Sequence, residues 1–180
     1  MIKIQIKSRW FGYVLFECEK ENNTIKDTLS EAVRKGADLK GAYLKGAYLK
    51  GADLKGAYLA DADLKGANEV PYVPFACPSD GAFIGWKKVC GNLVKLEIPE
   101  DARRCSATSQ KCRCDKAKVL SVWNMRLEEE VSEVVNHAYG QDTLYKVGEM
   151  VYPDSFDEDR WNECSNGIHF FINKQDAINY

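Results

Sequence analysis

A five-residue period is the feature of this sequence that most restricts its fold. Between Gly36 and Asn68 the unit Gly-Ala-x-Leu-Lys repeats, so that alanine and leucine each recur every fifth residue, beginning with Ala37 and Leu39. An α-helix returns side chains to one face about every 3.6 residues, and a β-strand does so every two residues. Neither element produces a period of five, and the segment therefore predicts a repeat architecture.

This unit resembles that of the pentapeptide-repeat family, whose motif is Ala-(Asp/Asn)-Leu-x-x. The resemblance implies a right-handed quadrilateral β-helix in which each pentapeptide forms one side of a square and four form one coil. It also implies that alanine and leucine point inward and that residues 20 apart stack, as Leu39 would on Leu59. The outward side chains would then be Tyr43, Tyr48, Tyr58, Lys40, Lys45, Lys50, Lys55 and Lys65.

The best-known activity of that family is inhibition of DNA gyrase by imitation of duplex DNA. Residues 36–68 make roughly 1.6 coils, a stack about 8 Å tall at the ~4.8 Å spacing of strands. One turn of B-DNA is about 34 Å long. The outward positions also carry five lysines, where a DNA mimic needs carboxylates. We therefore interpret the repeat as a short structural spacer.

The residues before the repeat predict a hairpin and a helix. Residues 2–7 alternate apolar and polar side chains, which predicts a half-buried strand, and Tyr13–Glu19 predicts its partner. Thr24 and Asp27 form a capping-box pattern at the start of a helix, and Gly36 is a typical C-terminal stop. We expect these elements to cap the open end of the repeat, where apolar core and unpaired backbone would otherwise meet water.

The residues after the repeat predict a separate α+β domain. Two prolines in 70–74 favour an extended linker. The predicted elements beyond it are strands over 82–90, 93–98, 118–124, 144–147 and 167–172, a turn at Gly91-Asn92, and a closing helix over 174–180 capped by Asn173. A helical face fits Leu127, Val131, Val134, Val135 and Ala138, and a strand through 131–135 stays open as an alternative.

Four motifs in this last part carry a second resemblance. Residues 77–81, 111–117, 153–157 and 163–171 are similar to the uncharacterised domain that follows pentapeptide repeats in proteins of phages and Firmicutes. The resemblance implies an architecture and a phage context, but no mechanism. The predicted organisation is a hairpin and helix cap over 1–35, a pentapeptide β-helix over 36–68, a linker over 69–76 and an α+β domain over 77–180.

The composition is that of an ordinary soluble protein, with 45% hydrophobic and 29% charged residues. No apolar run approaches the roughly 20 residues that span a bilayer. The alternating N-terminus also lacks the continuous apolar stretch of a signal peptide. We therefore predict a cytoplasmic protein without a membrane partner, in which most of the seven cysteines stay as thiols.

Charge is spread unevenly along the chain. The formal net charge is −2, which does not favour a nucleic-acid binder, and residues 69–180 carry 13 basic and 18 acidic side chains. Part of that acidity lies in 154–163, which lacks the spacing and the glycine of a calcium-binding loop. We interpret this run as a solvated loop around buried Phe156 and Trp161.

The cysteines and histidines give two candidate sites. Cys105, Cys112 and Cys114 lie close in sequence, but the Cys-x-Cys spacing is tighter than the usual pair of a structural zinc site. We predict no metal and no cofactor, and zinc at these cysteines stays open. Cys164 with His169 would be a nucleophile and its base, although nothing in the sequence fixes their geometry.

A third resemblance concerns Gly167-Ile168-His169-Phe170-Phe171 and the helix that ends at Tyr180. This pattern is similar to the second motif of ADP-ribosyltransferases, Gly-Ile-Tyr-Phe followed by a helix that ends in Ala-x-Tyr. The resemblance implies an aromatic site for the nicotinamide half of NAD, with Tyr180 in the place of the helix tyrosine and His169 replacing that of the strand. The catalytic glutamate of that family has no counterpart, because the chain ends at Tyr180. Gly85-Trp86-Lys87 is the nearest candidate for the first motif.

We predict a phage-encoded, non-catalytic interaction protein that binds a host protein or nucleic acid. The alternative is a degenerate ADP-ribosyltransferase-like domain that holds NAD, ADP-ribose or a signal nucleotide, and the third hypothesis is an active enzyme of that class. The basic stretch over 103–118 and the strand over 167–171 are the predicted surface, since clustered cations bind phosphates. The candidate binding residues are Trp86, Arg103, Arg104, Lys111, Arg113, His169 and Tyr180.

Overall fold

A computed structural model describes residues 1–55, 57–138 and 141–180; Gly56, one of the repeating glycines, lies outside them. The chain divides into two compact units. The first unit contains Met1–Pro74 and two short later segments, Ala107–Ser109 and Asp159–Cys164. The second unit contains Phe75–Ser106, Gln110–Glu158 and Ser165–Tyr180. The described chain is mostly β-structure with two short helices.

The first unit begins with the predicted hairpin and helix. The elements are β1 (Ile2–Lys7), β2 (Val14–Lys20) and α1 (Ile25–Arg34), and the two strands pair antiparallel. The capping box is confirmed: the Asp27 amide donates to the Thr24 hydroxyl at 3.1 Å, and the Thr24 amide donates to the Asp27 carboxylate at 3.2 Å. Helix α1 buries Leu29 and Ala32 in the same apolar cluster as the leucines of the repeat.

The end of β1 continues onto the repeat. The Arg9 amide donates to the Gly41 carbonyl at 2.8 Å, and the Tyr43 amide donates to the Lys7 carbonyl at 2.8 Å. Ser8 and Ala42 form an antiparallel bridge between these two hydrogen bonds. Backbone groups at one edge of the repeat are therefore paired, as predicted for a cap.

The repeat pairs residues that lie 20 positions apart. Parallel bridges join Asp38 to Tyr58, Tyr43 to Asp63 and Tyr48 to Asn68. The Leu39 amide donates to the Tyr58 carbonyl at 3.1 Å, and Leu44 and Leu49 make the corresponding bonds to Asp63 and Asn68. The buried side chains are Leu39, Leu44, Leu49, Leu59, Leu64, Ala42, Ala52 and Ala62, whereas the three tyrosines are exposed. The predicted inward and outward positions are confirmed.

Asp61 occupies a position that glycine takes elsewhere in the repeat. The described glycines of the motif have φ between 66° and 71°, and Asp61 has φ 58° at the same position. Aspartate is one of the few residues that tolerate this left-handed region. The peptide groups on either side are held from outside the repeat. The Asp61 amide donates to Glu163 Oε2 at 2.8 Å, and Arg9 Nη1 donates to the Asp61 carbonyl at 3.2 Å.

The segments 107–109 and 159–164 complete this first unit. Glu163 is only 3% exposed, and its Oε1 accepts hydrogen bonds from the Ser109 amide and hydroxyl. The Thr108 hydroxyl donates to the Leu59 carbonyl at 2.6 Å, and Trp161 packs against the leucine cluster. The prediction that 154–163 is a solvated acidic loop is therefore wrong at Glu163, because this buried carboxylate accepts hydrogen bonds from the amide groups of Asp61 and Ser109.

The second unit is built on one large antiparallel sheet. Its elements are β3 (Phe83–Val89), β4 (Asn92–Ile98), β5 (Arg104–Ser106), β6 (Lys111–Cys114), β7 (Ala117–Asn124), β8 (Glu129–Val131), β9 (Glu133–Ala138), β10 (Gln141–Lys146), β11 (Met150–Val151), β12 (Ile168–Phe171) and α2 (Lys174–Asn179). The strand order is β11-β7-β4-β3-β12-β6-β5, with β8 paired to β7. Strands β9 and β10 form a separate hairpin.

Two predictions for this unit differ from the structure. The helical face over 127–138 is wrong, since β8 and β9 occupy the segment and Val134 pairs with Tyr145 of β10. The β-branched valines favour an extended chain that packs Val131 and Val134 against the core. The turn before β4 is centred on Cys90 and Gly91, with φ 45° and 78°, one residue earlier than predicted.

Replacement of Glu163 tests how the later segments stabilise the first unit. We expect Glu163→Gln to lower the free energy of unfolding by about 1–3 kcal/mol, because the new amide group opposes buried donors. Urea denaturation followed by circular dichroism measures the change. Glu158→Gln is the control, because its side chain is 70% exposed and should change stability little. An equal effect of the two substitutions would contradict this role for Glu163.

Candidate binding face

Four strands of the large sheet place predicted site residues in one transverse row. Lys95 of β4 pairs with Trp86 of β3, Trp86 pairs with Phe171 of β12, and Phe171 pairs with Lys111 of β6. Directly paired residues of antiparallel strands project to the same face. The row therefore lies on one face, which we call the outer face, opposite the core that contains Phe170.

Helix α2 packs against part of this outer face. The Asn173 side chain caps the helix as predicted, and Ala177 packs with Leu93 and Phe171. The ring of Tyr180 lies 5.1 Å from that of Phe171 between centroids. Lys111 Nζ donates to the Tyr180 hydroxyl at 3.3 Å, so this buried lysine joins the strand to the aromatic residue after the helix.

Two lysines approach the ring of Trp86 near the other end of the row. Its ring centroid is 5.8 Å from Lys95 Nζ and 5.3 Å from Lys174 Nζ, distances at which a cation is attracted to an indole face. Lys88 Nζ donates to the Ile178 carbonyl at 3.0 Å. No described carboxylate lies within 4.0 Å of any of these three ammonium groups. Their charge is therefore available to an anionic ligand.

The outer face continues across β4 and β7. Trp123 pairs with Leu93 and is 40% exposed, and Lys118 pairs with Glu97. We define the lysine–tryptophan face as Trp86, Lys88, Lys95, Lys118, Trp123 and Lys174. Glu97 and Glu130 also project to this side of the sheet. Although residues 69–180 are acidic overall, lysines outnumber carboxylates around the two indoles.

The basic stretch over 103–118 does not form a second such surface. Arg103 is paired with Asp115 and Glu158. Arg104 donates to the backbone carbonyls of four residues, Gly81, Pro99, Glu100 and Ala102. Lys116 forms an ion pair with Asp101, and Arg113 is buried with Nη1 donating to the Asn166 carbonyl at 3.0 Å. Most of the stretch is thus neutralised or used to hold the fold.

A cavity of about 360 Å³ lies beside Arg103 and Arg104. Its other lining residues are Phe75, Ser79, Glu100, Ala102, Cys105, Phe156 and Glu158. Neither His169 nor Tyr180 lines this cavity, so the predicted nucleotide residues and the two arginines belong to different places in the second unit. His169 pairs with Arg113 across β12 and β6.

Four cysteines of the second unit are buried, namely Cys77, Cys105, Cys112 and Cys114, whereas Cys90 is exposed. Hydrogen bonding with Cys77, together with burial, raises the pKa of the Cys112 thiol, and burial raises that of Cys114. Thiols with raised pKa values are poor nucleophiles at neutral pH. No disulfide joins the described cysteines. Among the residues that the structure describes, no group of three or more His, Cys, Asp or Glu side chains is arranged to hold a metal ion.

Comparison with known protein families assigns both parts of the chain. A model of eight pentapeptide repeats matches residues 35–68, and a model described as a family of unknown function, DUF5758, matches residues 73–177. The chain belongs to the DUF5758 family. The DUF5758 match confirms the prediction of an uncharacterised domain after pentapeptide repeats. No curated protein and no solved structure matches the chain.

The lysine–tryptophan face of this DUF5758 protein includes residues that the sequence analysis did not select. Lys95 alternates with buried Val94 and Leu96, a pattern that could have identified it as outward-facing. No comparable signal in the sequence marks Lys88 and Lys174. Lys88 reaches the Ile178 carbonyl of α2, and Lys174 reaches the ring of Trp86, only because α2 packs on the sheet. Among the described helices, none is long and apolar enough to cross a bilayer.

The second unit also contains a lysine whose amine is turned away from water. Lys87 Nζ donates to the His169 carbonyl at 3.2 Å and lies 6.0 Å from the ring centroid of buried Tyr145. Burial lowers the pKa of Lys87 from 10.5 to about 8, and the nearby Cys114 opposes this shift. Relative to the unfolded chain, folding therefore shifts the protonation equilibrium of Lys87 toward the neutral amine.

This shift predicts a pH dependence of stability. Between pH values of about 8 and 10.5 the unfolded chain binds more protons at Lys87 than the folded one, so stability should rise with pH. We expect the unfolding free energy of the wild type minus that of Lys87→Met to increase by up to about 3 kcal/mol across this range. Urea denaturation at several pH values measures it. A difference that does not change with pH would contradict burial of the amine.

Proposed function

We propose that the protein is a non-catalytic nucleic-acid-binding protein whose ligand lies on the lysine–tryptophan face. The observation that carries the proposal is that the ammonium groups of Lys95 and Lys174 both approach the ring of Trp86, with no described carboxylate within 4.0 Å of either. Lysines supply the charge that phosphates require, and indole rings supply a surface on which bases stack. An acidic protein partner would use the lysines but would have less use for the two indoles, of which Trp123 is exposed and Trp86 is half-buried.

The electrostatics of this face set the expected strength of binding. The sheet and α2 bring Lys95, Lys118 and Lys174 around the indoles. Three phosphate contacts give a salt slope of about −2 for a single strand, because each contact contributes roughly 0.7. Such a slope belongs to weak, salt-sensitive binding.

The repeat has a supporting role in this proposal. We propose that 36–68 forms a right-handed quadrilateral β-helix, capped by 1–35 and joined through 69–76 to the binding domain over 77–180. The bridges between residues 20 apart and the buried leucines support this arrangement. Its outward lysines, Lys45 and Lys65 among them, are the competing candidates for a nucleic-acid contact.

We further propose that the protein is phage-encoded and meets a host nucleic acid in the cytoplasm. This part of the proposal is supported by the resemblance to proteins of phages and Firmicutes alone. A phage source is consistent with the proposed role, in which a small protein binds a host macromolecule and does not modify it chemically. The structure of the face does not depend on the source of the ligand.

Fluorescence anisotropy with a labelled mixed-sequence oligonucleotide tests the proposed function. We expect Lys95→Gln combined with Lys174→Gln to weaken binding and to reduce the magnitude of the salt slope by about 1.4, since two phosphate contacts are lost. Lys146→Gln is the matched control in the same unit, because that lysine is paired with Glu149. Lys45→Gln with Lys65→Gln is the control for the repeat. Unchanged binding by the first variant, or a larger loss in the repeat variant, would refute the proposal.

A further inference from the structure

We infer, on the basis of the proposed function, that the ligand is a single strand whose bases stack on Trp86 and Trp123 while its backbone passes Lys95. The register supplies the geometry. Trp86 pairs with Lys95, Lys95 is two residues from Leu93 on β4, and Leu93 pairs with Trp123. The two tryptophans are therefore two strands and two residues apart, on the same face of the sheet.

This separation can be estimated from strand dimensions. Neighbouring strands are about 4.8 Å apart and two residues along a strand span about 6.8 Å, which gives roughly 12 Å between the two tryptophan Cα atoms. Successive bases in a duplex rise by about 3.4 Å. Because this Cα separation is more than three times the rise between bases, we do not expect bases that stack on the two tryptophans to be stacked neighbours in a duplex. The spacing thus fits splayed bases of a single strand, the form in which bases reach aromatic side chains on a sheet.

The side chains between and beside the indoles fit the same ligand. Lys95 pairs with Trp86 and lies two residues along β4 from Leu93, the partner of Trp123. A phosphate between the two stacked bases would pass this lysine. Lys174 approaches Trp86 from the helix side, and Lys118 lies beyond Ser121 on the strand that carries Trp123. The expected ligand therefore spans at least three nucleotides, two stacked and one or more between them.

Binding of labelled oligothymidine of 12 nucleotides and of the corresponding 12-base-pair duplex tests this inference. We expect the single strand to bind at least tenfold more tightly. Trp123→Leu should weaken single-strand binding by about 5- to 100-fold, whereas Trp123→Phe keeps most of the affinity because a stacking ring remains. Trp10→Leu, which replaces an exposed tryptophan of the first unit, is the matched control and should change affinity little.

An abasic strand of the same length separates stacking from charge. Its binding should be insensitive to Trp123→Leu but still weakened by Lys95→Gln with Lys174→Gln. Equal binding of single strand and duplex, with no effect of Trp123→Leu, would overturn this inference and leave the proposed function intact if the lysine variants still bind less. Absence of binding to every oligonucleotide would overturn both. At Trp86, which is partly buried, Trp86→Phe is the substitution to use because it keeps an aromatic ring. Circular dichroism checks that each variant is folded.

Discussion

Alternation of side chains between the two faces of an antiparallel sheet organises the second unit. Strands β3, β4, β12 and β6 send one set of side chains into the core, including Val94, Leu96 and Phe170. The intervening residues must then face outward, and in the transverse row these are Lys95, Trp86, Phe171 and Lys111. A shift of one residue in the pairing of β4 would turn Lys95 toward the core and turn Val94 and Leu96 outward. The register that stabilises the fold thus also assembles the proposed binding face.

A different constraint governs the first unit, where the chain must turn every five residues. Glycine satisfies the left-handed turn at the described motif positions except 61, where Asp61 takes its place. The neighbouring amide and carbonyl are bonded by Glu163 and Arg9, which come from opposite ends of the sequence. The first unit is therefore stabilised by residues inside the stretch that matches DUF5758, as well as by the repeat and its N-terminal cap.

The sequence predicts local features better than it predicts contacts between residues that are far apart in the chain. The period of five, the Thr24 capping box and the Asn173 cap were accessible because each depends on nearby residues. The burial of Glu163 was not, since its hydrogen-bond partners are Asp61 and Ser109, far away in sequence. The same limit affects the site. Trp86, Lys111 and Tyr180 were selected and share the outer face, but the sequence could not show that ion pairs neutralise Arg103 or that Lys174 approaches Trp86.

In the proposed function, nucleic acid contacts the sheet of the second unit and not the repeat. Ultraviolet crosslinking of the wild-type protein to a single-stranded oligonucleotide, followed by mass spectrometric mapping of the attached peptides, tests it most directly. We expect crosslinks on the peptides that contain Trp86 and Trp123. Crosslinks confined to the repeat, on peptides that contain Tyr43, Tyr48 or Tyr58, would contradict it.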